Sequence, residues 1–359
     1  MNRPIVGLTL SPIRKNIRRR LCKISGNKKM RISLFSLLSI CCFGLAAQNS
    51  QLYSYGQRDP QFTQFMFNPT YFNPAAAGEE DAWISTLDVR NQWVNLPGAP
   101  VSQIITSHLP IYKISSGAGL VVSNDLAGQQ RNTGVSAMYA YHKRFRTSTL
   151  SIGVSGGIIQ QQLRGDKLTT PTGNYEGIID HNDPNLPVTL RTEVLPDASL
   201  GLYFFGKSLK IGVSASHLLL PLQASKETAV TDVQYNPNGY VYVGYDINMT
   251  SRLMLTPSVL YKTDLQSSIV DVNTIFTFND NILAGASFRG YTNGRYDAVS
   301  LIGGLNFSGN WRVSYSYDIT LSELNSVSSG SHEVVLRYRL PVARPRAGKM
   351  INNPRYLYH

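Results

Sequence analysis

From Trp311 to Ile319 the chain alternates strictly: Trp311, Val313, Tyr315, Tyr317 and Ile319 stand against Arg312, Ser314, Ser316 and Asp318. A period of two sends the two sets to opposite faces of a β-sheet. The same rhythm recurs elsewhere. Leu150, Ile152, Val154 and Ile158 oppose Ser151, Gly153, Ser155 and Gly157, and Val135, Ala137, Tyr139 and Tyr141 oppose Ser136, Met138, Ala140 and His142. Leu209, Ile211, Val213 and Ala215 oppose Lys210, Gly212, Ser214 and Ser216. Val334, Leu336, Tyr338 and Leu340 oppose Glu333, Arg337 and Arg339, with Val335 breaking the pattern. In all, the pattern predicts about fourteen strands, at 82–92, 99–107, 116–124, 133–143, 148–160, 197–206, 208–217, 239–249, 251–262, 267–279, 281–289, 295–308, 310–319 and 331–341.

A soluble sandwich also alternates, so the second face has to decide. Here that face is rich in Ser and Gly, and one strand runs into the next with little sequence left for a separate core. A lipid-facing band with aromatic ends around a polar lumen accounts for both faces. The expected fold is all-β: an antiparallel transmembrane β-barrel of about 14 strands with a short N-terminal periplasmic segment. The connections agree, since every second one is tight: Arg144 to Thr147, Gly206-Lys207, Met249 to Ser251, Asn279 to Asn281 and Ser308 to Asn310. The alternate ones include the long Gln161 to Pro196 and Leu218 to Asn238. Outer-membrane barrels have short periplasmic turns and longer outer loops. An even strand number then puts both barrel termini on the periplasmic side. Two features fit poorly: Leu109 to Ser115 is long for a turn, and Pro257 sits inside a strand without a ladder donor.

The stretch Gln57 to Gly78 follows another rule. Asp59-Pro60 is a helix start, with a carboxylate to cap free N–H groups and proline at the first helical position. Phe62, Phe65 and Met66 fall at helical spacing. Asn68-Pro69 stops that turn, and Asn73-Pro74 repeats the punctuation before the small run Ala75 to Gly78. The segment is too short to fold alone. Phe62, Phe65 and Phe67 are expected to pack into or under the periplasmic mouth of the barrel and narrow it.

Charge changes the picture only at the start. The 359 residues carry a net charge of +12. Ten of the 34 Lys and Arg, and no acid, lie in residues 1–31; the rest of the chain holds 24 basic against 22 acidic residues. A nearly neutral mature chain has no nucleic-acid footprint. Lys28, Lys29 and Arg31 precede the apolar run Ile32 to Leu45 and then Ala46-Ala47, the pattern of a signal peptide. The run is short of the roughly 20 residues that a spanning helix needs. Cleavage is expected near Ala46 or Ala47, with Met30 an alternative start. Cys22, Cys41 and Cys42 all fall in the discarded part. Ile40 before Cys41 is too bulky for lipidation. The expected organisation is a leader over 1–47, a periplasmic segment over 48–81, a barrel over 82–341 and a basic periplasmic tail over 342–359.

The run Asp59-Pro60-Gln61-Phe62, Gln64-Phe65-Met66-Phe67-Asn68, with Pro69, Asn73-Pro74-Ala75 and Gly78, resembles the opening signature of the PorP/SprF family of type IX secretion membrane proteins. Shorter pieces agree in order: Asn91-Gln92-Trp93 with Gly98-Ala99-Pro100, Tyr139-Ala140-Tyr141-His142, Ser216-His217-Leu218, and Gly330-Ser331-His332-Glu333. The resemblance covers roughly residues 57 to 341. It implies an outer-membrane accessory barrel of type IX secretion, supporting export and surface attachment of an adhesin-type cargo and associated with gliding motility. The implied partners are outer-membrane lipid, the secreted cargo's C-terminal domain and periplasmic secretion components. It implies no catalytic residue, cofactor or metal.

The candidate chemistry is thin. Gly153-Val154-Ser155-Gly156-Gly157 matches the hydrolase Gly-x-Ser-x-Gly pattern, which works only on a strand-to-helix turn. Here it lies inside an alternating strand. His332 faces away from Ser331 and Glu333, which rules out a local triad. The six histidines are scattered without ligand spacing. Asp180-His181-Asn182-Asp183 offers a cation site in the long outer loop or, more commonly for such a cluster, a solvated turn, and Arg164-Gly165-Asp166 spells an adhesion tripeptide, a three-residue match that is most often chance. Besides the secretion role, the barrel permits a channel for a small solute or a barrel enzyme. A plugged lumen favours the first and an open charged lumen the second.

Overall fold

A computed structural model describes residues 59–177, 179–183, 186–220, 237–264, 267–291 and 294–343. The expected leader over 1–47, residues 48–58 and the expected tail from Arg344 lie outside the described residues. The strands are β1 (Ala82–Asn91), β2 (Val101–Ile111), β3 (Ser116–Ala127), β4 (Gln130–Arg144), β5 (Ser148–Arg164), β6 (Leu190–Gly206) and β7 (Leu209–Ser216). They continue as β8 (Asn238–Tyr245, resumed at Ile247–Asn248), β9 (Leu253–Thr263), β10 (Ser268–Phe278), β11 (Ile282–Tyr291), β12 (Tyr296–Phe307), β13 (Trp311–Thr320) and β14 (Ser331–Pro341). Each pairs antiparallel with its neighbours in sequence, and β1 closes on β14 from Ala82↔Pro341 to Asn91↔His332. The result is a closed 14-stranded barrel. No helix among the described residues is long and apolar enough to cross a membrane as a helix.

Parity decides which side chains face outward. Trp311, Val313, Tyr315 and Ile319 are exposed on the outer wall, while Ser314, Ser316 and Asp318 are buried inside. The outer face carries a continuous apolar band, including Leu150, Ile152, Val154, Leu200, Leu202 and Leu301. Trp83, Phe145, Tyr245, Phe278, Phe307 and Trp311 gather at one rim. Such a surface suits lipid and not water.

That rim is also where the connections are tight: 112–115, 145–147, 207–208, 249–252, 279–281 and 308–310. The opposite end carries 92–100, 165–189, 217–237 and 321–330. The two ends are called here the turn end and the loop end. The hairpin β3–β4 departs from expectation, because both strands run further and leave only 128–129 as its turn. The expected long loop from Gln161 shrinks to 165–189 for the same reason, as β5 extends to Arg164 and β6 begins at Leu190. Pro196 is tolerated inside β6 because the β6–β7 ladder starts only at Leu200.

Both poorly fitting features resolve locally. β2 runs on to Ile111 and Tyr112–Ile114 forms a 3-10 turn, so the long connection is a four-residue one closed by Ser115 at φ +51°. Pro257 lies opposite Tyr245 in a β8–β9 register that is the same on both sides of it, Ser258↔Gly244 and Leu255↔Ile247. The missing N–H interrupts the ladder at Asp246 without shifting it, and Thr256 Oγ1 donates to Asp246 Oδ1 at 2.8 Å across the gap.

Candidate functional site

Residues 59–78 sit inside the lumen and not beneath its mouth. Asp59 does not start an α-helix. Its carboxylate is drawn to His217 and Tyr240, and the segment instead makes three 3-10 turns, Phe65–Phe67, Pro69–Tyr71 and Pro74–Ala76. Pro69 and Pro74 each open a new turn at its first position, where the missing N–H is not needed, and so divide the segment into short pieces. Asn73 provides the real cap: its Oδ1 accepts from Ala75 N–H at 2.9 Å, and its amide donates to the Leu202 and Val213 carbonyls of β6 and β7 at 3.0 and 3.4 Å.

The segment runs along the barrel axis. At the loop end, His217 just beyond β7 meets Asp59 at 2.7 Å; seven residues earlier on β7, Lys210 meets Glu79 at 3.4 Å. Seven strand residues span about 23 Å. At the turn end Glu80 is bonded to Arg337 and Arg339, and Tyr112 donates to Asp81 at 2.9 Å.

Three apolar clusters hold the segment sideways. Phe62 and Ala77 meet Ile104, Val121, Met138 and Ala140. Phe65, Phe72, Ala75 and Ala76 meet Tyr203, Tyr240, Tyr242 and Leu260. Phe67 meets Ile275, Leu283, Ile302 and Val335. Val335 therefore breaks the inward polar pattern of β14 because a phenylalanine of the plug lies against it. With Arg90 on β1, Gly153 on β5, Ser214 on β7 and Asp318 on β13, the plug touches all fourteen strands. The lumen expected to be polar is filled along this girdle by apolar packing of the plug against the wall.

A buried ionic web fixes the middle of the plug. Thr63 and Gln64 donate their backbone N–H groups to the two oxygens of Glu333, each at 2.8 Å. The Thr63 hydroxyl donates to Asp318 at 2.9 Å and accepts from Arg90 and Arg289 at 3.1 Å. Its carbonyl accepts from Asn273 at 3.2 Å. Arg90 also pairs with Asp318 at 2.6 Å and Glu333 at 2.9 Å; Asp271 holds Arg289 at 2.6 Å and Lys262 at 2.9 Å. Burying the four plug phenylalanines contributes roughly 6–12 kcal/mol, and each bond from Thr63 or Gln64 to a charged partner adds about 1.5–3 kcal/mol. The rings and the polar web together hold the plug in, and the directional web also sets its register.

Close approach sets a further requirement. A Cβ at Gly153 would lie 2.3 Å from Ala75 N, one at Gly201 2.0 Å from Asn73 Oδ1, and one at Gly117 2.0 Å from the Ala77 carbonyl. The Gly-x-Ser-x-Gly pattern thus has a packing explanation at its first glycine. Gly153→Val is expected to cost about 1–3 kcal/mol and push Ala75 off the wall, read as faster proteolysis of the plug in an otherwise folded barrel. Wild-type protection would contradict this contact.

His217 is clamped between two carboxylates, with Nε2 on Asp59 at 2.7 Å and Nδ1 on Asp197 at 2.9 Å. Both ring nitrogens must donate, so the ring is imidazolium. Burial favours its neutral form, yet the two carboxylates push its pKa well above 6.5. Burial likewise works against ionised Asp59, but His217, Tyr240 and Asn238 hold that carboxyl at about 2. The Asp59 contribution is complete above its ordinary 3.8 and lost as pH falls through about 2. The His217 contribution is complete below 6.5 and lost only as pH rises through the raised value. Plug protection from protease is therefore expected to be flat across neutral pH. In His217→Ala, Asp59 loses its imidazolium partner and faces Asp197, and protection should improve on acidification as Asp59 takes a proton; a flat profile in that variant would contradict the clamp.

The sequence motifs separate into two groups. Asp59, Pro60, Phe62, Phe65, Met66, Phe67, Asn68, Pro69, Asn73 and Pro74 are in the plug, and the distant histidines and Glu333 answer it. His142 Nε2 bonds the Ala77 carbonyl at 3.0 Å, and His108 Nδ1 accepts from Gly78 N–H at 3.0 Å. The second group joins two loop-end connections. Gln92 N–H donates to the Pro100 carbonyl at 2.9 Å, Trp93 N–H to Ser331 Oγ at 3.1 Å, and Val94 N–H to the Gly330 carbonyl at 2.9 Å. Gly98 and Gly330 occupy positive φ, +75° and +81°. His332 points outward to Tyr315 at 2.6 Å, whereas Ser155 is on the inner face. His181 is buried on the Gly165 and Pro187 carbonyls, correcting its reading as a solvated turn residue, and Arg164 pairs with Asp166 at 3.3 Å. Sequence reasoning did not single out Thr63, Arg90, Asp271, Arg289 or Asp318. The signal was present as charged residues at inward parity, but which of them meet depends on barrel closure.

A family model described as "Type IX secretion system membrane protein PorP/SprF" matches residues 54–338. No curated protein matches the chain. Among solved structures, similarity is found to the outer membrane protein Omp33 of Acinetobacter baumannii, at 7% identity over 72% of this chain and 99% of that one, with a TM-score of 0.43. The toluene transporter TbuX of Ralstonia pickettii matches at 12% identity over 78% and 94%, with a TM-score of 0.47. The monoaromatic hydrocarbon channel CymD matches at 11% over 79% and 94%, with a TM-score of 0.46.

Proposed function

Because the chain belongs to the PorP/SprF family of type IX secretion system membrane proteins, we propose that it acts as an accessory barrel in the outer membrane, supporting secretion and surface attachment of an adhesin-type cargo. Its partners in this reading are the cargo's C-terminal domain and periplasmic components of the secretion machine. The turn end faces the periplasm, with both barrel termini, Ala82 and Pro341, on that side. The plug then crosses the lumen from the outer vestibule at Asp59 to the periplasmic rim at Glu80.

The observation that carries this reading over a solute channel is the plug's contact with every strand. A conducting channel needs a continuous wet path, and a secretion accessory does not. Its working surfaces are the loop-end connections, 165–189 the longest, and the turn-end rim around Glu80, Arg337 and Arg339. Long connections on a rigid scaffold commonly carry binding.

The test is affinity capture of the detergent-solubilised barrel with conductance measured on the same preparation. Recovery of a large surface protein together with periplasmic secretion components supports the reading. Recovery of neither, with solute-specific conductance, replaces it with the channel.

A further inference from the structure

The plug leaves part of the lumen unfilled. A cavity of about 450 Å³ remains in its loop-end half, between Asp59–Pro74 of the plug and the inner faces of β2–β7. Inward-facing Ser136 and Ser155 leave this room where larger side chains would close it. Among the described residues, four carboxylates line the space, Asp59, Asp125, Asp197 and Asp264, and no Lys or Arg does. The only basic side chain there among the described residues is His217, already held by two of the four. Asp125 is oriented by the Ser102 hydroxyl at 2.5 Å. One buried oxygen of a lining residue, Asp197 Oδ1, has no hydrogen-bond partner among the described residues.

We propose that this cavity is a binding site for an organic cation, an alkylammonium or guanidinium group. A recess lined by one sign of charge within low-dielectric walls focuses the field and concentrates the opposite sign. The volume falls in the range of small-molecule sites and exceeds what a bare ion needs. It accommodates a lysine or arginine side chain with its stem, or a free polyamine, and the Asp125 and Asp197 carboxylates are acceptors for its N–H groups. The site depends on the plugged barrel and not on the secretion reading, so either can fail without the other.

The experiment uses the full chain folded in detergent, with a fluorescein-labelled trilysine peptide followed by polarisation. Spermidine serves as competitor and a labelled triglutamate peptide as control. Trilysine is expected to bind saturably and more weakly as salt rises, and triglutamate not to bind. Asp125→Asn, at a carboxylate whose hydrogen bond is to Ser102 on the wall, is expected to raise Kd about tenfold, the loss of one charge-assisted hydrogen bond. Ser136→Leu, which narrows the cavity without changing charge, should also weaken binding. Competition by spermidine assigns the site to ammonium groups from either source, and trilysine binding without competition assigns it to a peptide. Spermidine binding alone, measured calorimetrically, assigns it to a free solute. No binding by either cation, equal binding of triglutamate, or indifference to both substitutions would overturn the proposal.

Discussion

Deleting residues 59–78 is expected to turn a closed barrel into an open pore. Fourteen strands enclose a lumen wide enough for water once nothing fills it, so unitary conductance in planar bilayers should rise by at least about tenfold. The closure rests on three apolar clusters spread around the wall and on the web at Thr63, which together touch every strand. Removing the segment exposes Ile104, Leu260, Ile275 and Val335 to water, so the deletion should also unfold at lower denaturant. If the deleted barrel folds, shown by its heat-dependent gel mobility, and conducts no better than the full chain, then the plug does not close the lumen.

The second large effect is expected at Arg90. Its guanidinium is 2% exposed and bonds Asp318, Glu333 and Thr63 at once. Arg90→Ala leaves two buried carboxylates facing each other across Thr63, a situation that costs about 3–5 kcal/mol. Thr63→Val removes only the hydroxyl and should cost about 1–3 kcal/mol. In urea unfolding the arginine variant should therefore lose far more than the threonine variant. A double variant, Arg90→Ala with Glu333→Gln, should recover part of the loss because one stranded charge is gone. Equal losses in the two single variants would mean that the web is solvated and contributes little.

These expectations mark what the sequence could show. Strand number, inward and outward parity, and the tight and long connections were legible because a membrane wall imposes period two on both faces. Trp311 to Ile319 and Leu150 to Ile158 face as their alternation requires. The plug was visible as an aromatic segment foreign to that period, but its conformation was misjudged: Asp59-Pro60 looks like a helix start, and only the barrel wall supplies His217 and Tyr240 to claim the carboxylate. Its depth was hidden too. Phe67 meeting Val335, and Glu333 meeting the N–H groups of Thr63 and Gln64, join residues about 270 positions apart. Val335 carried a clue, since an apolar side chain at inward parity needs something apolar to face.

The account rests on residues 59–78 lying inside the closed wall, and hydrogen exchange read by mass spectrometry tests that most directly. The Thr63 and Gln64 N–H groups are bonded to a buried carboxylate, and those of Asn68, Ala75 and Gly78 to the Phe65 carbonyl, Asn73 and His108. Peptides covering 59–78 should exchange as slowly as those of β1 and β14, and speed up in Arg90→Ala while the strands stay protected. Exchange of that segment at the rate of a free chain, with the barrel strands protected, would place it outside the lumen and contradict the account.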